Sequence, residues 1–265
     1  MEVQMRRGGA MGLVQAAAAV LSYVVLIMAS TAGVRAQLRV GFYDSSCPAA
    51  EIICFVGGCE ASVLVDSSKG NTAEKDAGPN TSLRGFEVVD RIKARVEQAC
   101  FGVVSCADIL AFAARDSVAL TGGNAYQVPA GRRDGGVSRA QDTGGNLPPP
   151  TPNVNQLTKI FASKGLSQKD LQCGASAAPG PLVPMDAVTP NSFDEGFYKG
   201  VMSNRGLLAS DQALLSDGNT AVQVVSYAND PATFQSDFAA AMVKMGYIGA
   251  LTGSSGKIRA NCRVV

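Results

Sequence analysis

The sequence predicts a mainly α-helical protein, and three observations predict it. Apolar residues recur at helical spacing in several separate stretches, polar caps stand where those stretches begin, and no set of alternating runs builds a sheet. Phe86, Val89, Ile92, Val96 and Ala99 mark the inner face of a first helix, with Glu87, Asp90, Arg91, Lys93 and Glu97 facing elsewhere. Glu87 and Arg91 add an i,i+4 ion pair. Ser105 followed by Asp108 predicts a capping box ahead of an Ala-rich helix that ends before Gly122 and Gly123. Asn153 caps a third helix, with Val154, Leu157, Ile160 and Phe161 inside and Gly165 at its end. Near the C-terminus, Phe234, Phe238, Met242 and Met245 form an apolar stripe that reads as core. Ser62 to Val65 is one of the thin strand signals, and Gly122 to Gly145 and Pro148-Pro149-Pro150 read as loops.

Composition narrows the function classes. The 265 residues carry a formal net charge of +1, which makes no electrostatic case for nucleic acid as a partner. There is no histidine anywhere in the chain. Any Ser-His-Asp or Cys-His arrangement is thereby excluded, as is a zinc site with histidine ligands. Arg6 and Arg7 precede Gly8 to Val34, a stretch without a charged side chain, and Val34-Arg35-Ala36 resembles a small-residue cleavage site. Residues 1–36 therefore read as a secretory signal peptide, with a retained membrane anchor as the competing reading. Removal of the signal leaves no stable membrane association. An oxidising compartment lets the seven cysteines pair, and the odd count leaves at least one without an internal partner. Cys54 and Cys59 are the only close pair, so metal binding by cysteines lacks a second pair. Thr252 to Lys257 reads TGSSGK, but a phosphate loop would need glycine at Leu251, so the segment reads as a turn.

Several motifs then agree with one another. They are QLRVGFYDSSCPAAEII at 37–53, CFVGGCEASVLVD at 54–66, AEKDAGPNTSLRGFEVVDRIK, VVSCADILAFAARDSV, VPAGRRDG, NLPPPTPN and FASKGLS. DAVTPNSFD, RGLLASDQALL, AAAMVKMGYIGALTG and IRANCRVV follow. Together these resemble the secretory plant haem peroxidases, class III, in family order over nearly all of 37–265. The resemblance implies a haem-peroxidase-like helical fold over 37–265, secreted to the extracellular space or cell wall.

The resemblance is interrupted twice, so the fold it implies is incomplete. Ile53 runs directly into Cys54, where the family carries a helix with RLHFHD, holding its distal arginine and distal histidine. After Lys169-Asp170-Leu171 the text is QCGASAAPGPLVPMD, where the family carries its proximal histidine.

In the family, haem b meets hydrogen peroxide and oxidises phenolic small molecules. The distal histidine moves the proton, the distal arginine stabilises developing charge, and the proximal histidine ties the iron. All three are absent here, so no catalytic residue can be assigned and the chain is expected to be inactive. The alternatives are a non-enzymatic, calcium-binding, disulfide-bonded extracellular protein, or a truncated gene product. Cys173 is the candidate axial thiolate, set against the favoured reading of a free or intermolecular thiol on a remodelled loop.

The resemblance also assigns the supporting parts. Asn80 matches the asparagine that orients the distal histidine, Glu74 belongs to the same network, and Asp211 matches the acceptor for the proximal histidine. Asn80-Thr81-Ser82 is a glycosylation sequon at an interior family position, expected to stay unmodified. Pro148 matches the proline that contacts aromatic donors. Two calcium ions are implied, one by Val56, Gly58, Glu60 and Ser62 with Glu74 nearby, the other by Asp186, Thr189, Ser192 and Asp194. Each site has lost a ligand and is expected to be weakened; otherwise these are solvated turn residues. The implied disulfides are Cys47–Cys100, Cys54–Cys59 and Cys106–Cys262, leaving Cys173 unpaired. Asp108 and Arg132 match a buried ion pair.

Overall fold

The computed structural model describes residues 38, 59–81, 83–144, 148, 151–171, 186 and 188–265, all within a unit spanning 37–265. The signal-peptide reading of 1–36 lies outside the described residues. Helices dominate the described residues, and β-pairing among them is confined to isolated bridges such as Arg133 with Leu251 and Asp134 with Lys257. The Ser62 to Val65 segment is not a strand: Ser62–Leu64 forms a 3₁₀ turn.

The first α-helix among the described residues, α1 (Phe86–Ala99), starts at Gly85, whose φ of 87° is a conformation that glycine adopts without strain. It buries Val89, Ile92 and Val96, following the periodicity, but it also buries Lys93. Placing Lys93 on the outer face was thus incorrect. Its ammonium donates to the carbonyl of Val104 at 2.6 Å and pairs with Glu97, so the i,i+4 ion pair of α1 is Lys93–Glu97. A buried ammonium persists only where such partners replace water.

The second helix, α2 (Cys106–Leu120), is capped by Ser105, whose Oγ accepts from Asp108 N at 3.0 Å. The expected capping box is only half present. The Asp108 carboxylate turns instead to Arg132 and to the backbone N–H groups of Gly131 and Arg132. In α3 (Val154–Ser163) the box closes fully: Asn153 Oδ1 accepts from Gln156 N at 3.0 Å, and Gln156 Oε1 accepts from Asn153 N at 3.1 Å. Gly165 ends this region with φ of 77°.

Among the described residues five further helices follow: α4 (Gln168–Leu171), α5 (Gly196–Met202), α6 (Ala209–Ala213), α7 (Gly218–Asn229) and α8 (Pro231–Met245). Aspartates cap the last two, Asp217 for α7 and Asp230 for α8, with Pro231 at the first turn where its missing N–H costs nothing.

These elements enclose two apolar cores. One joins α1 and α2 to the 61–64 turn, through Val89, Ile92, Val104, Ile109, Leu110 and Phe112. The other joins α3 to α5, α7 and α8, through Leu157, Val201, Leu214, Val224 and Phe234. Rings dominate the second: Phe193, Tyr198, Tyr227, Phe234 and Phe238 contact one another with centroids 4.6–6.0 Å apart, mostly edge-on. Burial of each such side chain stabilises by roughly 1.5–3 kcal/mol. Phe234 of the C-terminal stripe is buried and Phe238 packs against the same core, but Met242 and Met245 instead line a cavity.

Candidate functional site

The cavity lies between α2 and α8 and has a volume of about 130 Å³. Leu110, Ala114, Val128 and Met242 supply its apolar wall, and Cys59, Tyr126 and Arg132 reach it with polar groups. Cys59 is a free thiol whose Sγ donates to the carbonyl of Met245 at 2.8 Å. The expected Cys54–Cys59 disulfide is therefore corrected: the Cys59 sulfur is committed to the end of α8. Burial pushes the Cys59 thiol up from its ordinary value, with Arg132 opposing, so it stays protonated at neutral pH. Burial likewise pushes Tyr126 up to about 12, keeping a neutral phenol.

Other cysteines fall as follows. Cys106 and Cys262 form a disulfide across 156 positions of sequence. Cys100 is disulfide-bonded, while its expected partner Cys47 lies outside the described residues, as do Cys54 and Cys173.

The residues expected around the first calcium ion are only partly brought together. Ser62 Oγ donates to Glu74 Oε2 at 2.7 Å, and Asn80 Nδ2 donates to the carbonyl of Glu74 at 2.8 Å. Burial raises the Glu74 carboxyl, Ser62 opposes this, and the charge of Glu60 adds to it. The Glu60 side chain lies against Gly135, where an added Cβ would overlap its Oε2. Val56 and Gly58 lie outside the described residues.

The second expected cluster is tighter. Thr189 Oγ1 contacts Asp186 Oδ2 at 2.5 Å and Asp194 Oδ1 at 2.8 Å, and the backbone N–H groups of Val188 and Gly196 donate to the same carboxylates. All three side-chain oxygens converge on Gly196. A Cβ there would sit 2.1 Å from Asp186 Oδ2, 2.5 Å from Thr189 Oγ1 and 2.9 Å from Asp194 Oδ1. The donor set is all oxygen, as a hard cation requires, so these residues fit calcium. Ser192 contributes backbone to the same turn, its N–H donating to Thr189 O at 3.0 Å.

The parts expected to serve a haem are present without a ligand to serve. Asp211 is buried, its Oδ2 accepts from Leu208 N at 2.8 Å, and burial raises its carboxyl above the usual range. Pro148 is half-buried. Cysteine and tyrosine are the other protein groups known to tie haem iron as anions. At the cavity both Cys59 and Tyr126 are held neutral, and about 130 Å³ falls below the ~300 Å³ at which ligand pockets of cofactor size begin. Neither side chain at this cavity supplies an anionic ligand for haem iron.

A family model for peroxidase matches residues 20–173 and 170–230. The chain belongs to the plant peroxidase family, class III. Peroxidase 5 of Vitis vinifera is 43% identical, covering 92% of this chain and 96% of its own length. Peroxidase 68 of Arabidopsis thaliana is 38% identical, covering 94% and 97%. Peroxidase P7 of Brassica rapa is 39% identical, covering 85% and 99%. The first of these alignments runs over 317 positions, more than the 265 residues of the chain, so the relative holds residues with no counterpart here. The mainly helical architecture agrees with this family. Among the described residues, no helix is long and apolar enough to cross a membrane.

Sequence reasoning missed the cavity and the thiol on it. Cys59 stands in the sequence as half of a close pair, and no local signal shows that its sulfur faces α8.

Proposed function

We propose that this chain is a secreted member of the peroxidase family that keeps the family's frame and does not turn over hydrogen peroxide. The observation that carries this reading is the absence of any imidazole, together with neutral Cys59 and Tyr126 side chains. Haem b, hydrogen peroxide and phenolic donors are what the family offers; here the groups that would hold the iron and move the proton are missing. Asp211 and Asn80 are spectators, bonded to Leu208 N and the Glu74 carbonyl.

Calcium is the cofactor that the frame still accommodates. Asp186, Thr189 and Asp194, with the Ser192 carbonyl, would hold one ion and neutralise the carboxylates around Gly196. The site formed by Glu60, Ser62 and Glu74, with the carbonyls of Val56 and Gly58, is weaker. Two disulfides are part of the same frame: Cys47–Cys100, and Cys106–Cys262 closing the chain's far end. Cys173, like Cys59, is left with a thiol.

The test is direct. Reconstitution of the purified chain with haemin is expected to give no Soret band beyond that of free haemin, and no guaiacol oxidation with peroxide. Calorimetry with calcium is expected to show one ion per chain with loss of binding in Asp194→Ala. A Soret band with peroxide-dependent turnover would falsify the inactive reading. Aggregation of a chain that also binds no calcium would point to a truncated gene product in place of a working non-enzymatic protein.

A further inference from the structure

The cavity between α2 and α8 has the makings of a small-molecule site. Its volume of about 130 Å³ is close to that of an apolar cavity of ~150 Å³ known to stay dry and admit benzene. Leu110, Val128 and Met242 give it an apolar wall, and the methionine thioether is a favourable neighbour for an aromatic ring.

One donor reaches this wall without an acceptor. Arg132 is only 2% exposed; its Nε donates to the Gly246 carbonyl at 3.0 Å, and its Nη1 donates to Asp108 Oδ1 at 2.9 Å and Pro129 O at 2.7 Å. Its Nη2 makes no hydrogen bond among the described residues. That nitrogen lies beside Gly246, itself part of the cavity lining, where an added Cβ would come within 2.5 Å. An oxygen brought by a ligand would give this N–H an acceptor. The guanidinium charge is already balanced by Asp108, so an anion would be desolvated with no free cation to meet it. A neutral acceptor fits better.

We propose that this cavity binds a neutral, single-ring aromatic molecule with one acceptor oxygen. Its ring lies against Leu110, Val128 and Met242, and its oxygen accepts from Arg132 Nη2. The proposal does not depend on whether the chain turns over peroxide.

Para-fluoroacetophenone and para-fluoroethylbenzene, alike in shape and differing in the carbonyl, serve as probes for fluorine NMR on the full chain. The ketone is expected to bind saturably and about tenfold more tightly than the hydrocarbon, the ratio that one charge-assisted hydrogen bond supports. Ala114→Leu fills the cavity and is expected to abolish ketone binding with an unchanged circular dichroism spectrum. In the unsubstituted chain, alkylation of Cys59 is expected to slow when the ketone is saturating, a readout that needs no variant to fold. The idea is overturned by any of three results: equal affinity for both probes, ketone binding that survives Ala114→Leu, or Cys59 alkylation indifferent to the ketone.

Discussion

Around α1 and α2 the interior carries charge, whereas around α5, α7 and α8 it carries rings. The first core encloses Lys93, Asp108, Arg132, Asp134 and Arg259, all nearly inaccessible to water, beside the Cys106–Cys262 disulfide. Asp134 accepts from Ala107 N at 2.9 Å and Arg259 N at 2.8 Å, and Arg259 Nη2 reaches the Ala61 carbonyl at 2.6 Å. Burial lowers the Arg259 guanidinium from its ordinary value, with Asp134 opposing, and among the described residues its Nε and Nη1 have no hydrogen-bond partner. Polar contacts in the second region include the Tyr227 hydroxyl between Gln223 and Asp237 and the Thr220 hydroxyl on the Leu214 carbonyl.

Directional charged contacts specify one geometry, and these tie together positions up to 198 residues apart. Ring packing is adaptable and rewards burial in any good arrangement. The difference explains how the family frame is retained in a chain without the family's catalytic groups. The charged network and the disulfide join 61, 106–108, 131–134 and 259–262 directly, with no contribution from the segments that are lacking.

Four variants sharpen or break this contrast. Asp108→Ala is expected to cost about 3–5 kcal/mol in urea unfolding, because it strands a buried guanidinium. Combining it with Arg132→Met should cost less than Asp108→Ala alone; an additive or larger loss would show that the pair is not the unit of stability. Removing the disulfide with Cys106→Ala and Cys262→Ala is expected to cost about 2–5 kcal/mol, read as a lower thermal midpoint that reductant reproduces in the unsubstituted chain. Phe234→Leu should cost only about 1–2 kcal/mol, since neighbouring rings can close over the smaller side chain. A loss as large as that of Asp108→Ala would erase the distinction between the cores.

The smallest effect concerns Asp211, whose carboxyl is raised by burial. The folded state therefore holds its proton more tightly than the unfolded state. Stability from this group is fully present below the unfolded value and is lost as pH rises through the raised folded value. Asp211→Asn keeps an oxygen for Leu208 N and is expected to raise the thermal midpoint slightly at pH ~7, a gain that vanishes near pH ~3. A constant gain across that range would contradict the assignment.

Helix positions were legible where the cause is local. The Asn153 box, the Ser105 cap and the Val89–Ile92–Val96 stripe depend on residues three or four apart, and the structure has each of them. The Asp186–Thr189–Asp194 cluster was implied by the family resemblance alone, and the structure brings its side-chain oxygens together. Lys93 was not, because its acceptor at Val104 belongs to the loop before α2. Met242 and Met245 read as core by periodicity, yet periodicity reports a face and not what covers it.

By itself the sequence determined the helical class, the capping of α2 and α3 and the absence of an imidazole for any proton or metal, because these follow from local spacing and from composition. Only the tertiary structure decided which charges are buried, that Cys59 keeps its thiol, and that α2 and α8 leave a cavity between them. Those outcomes depend on groups brought together from distant parts of the chain, whose desolvation and pairing no short window of residues contains.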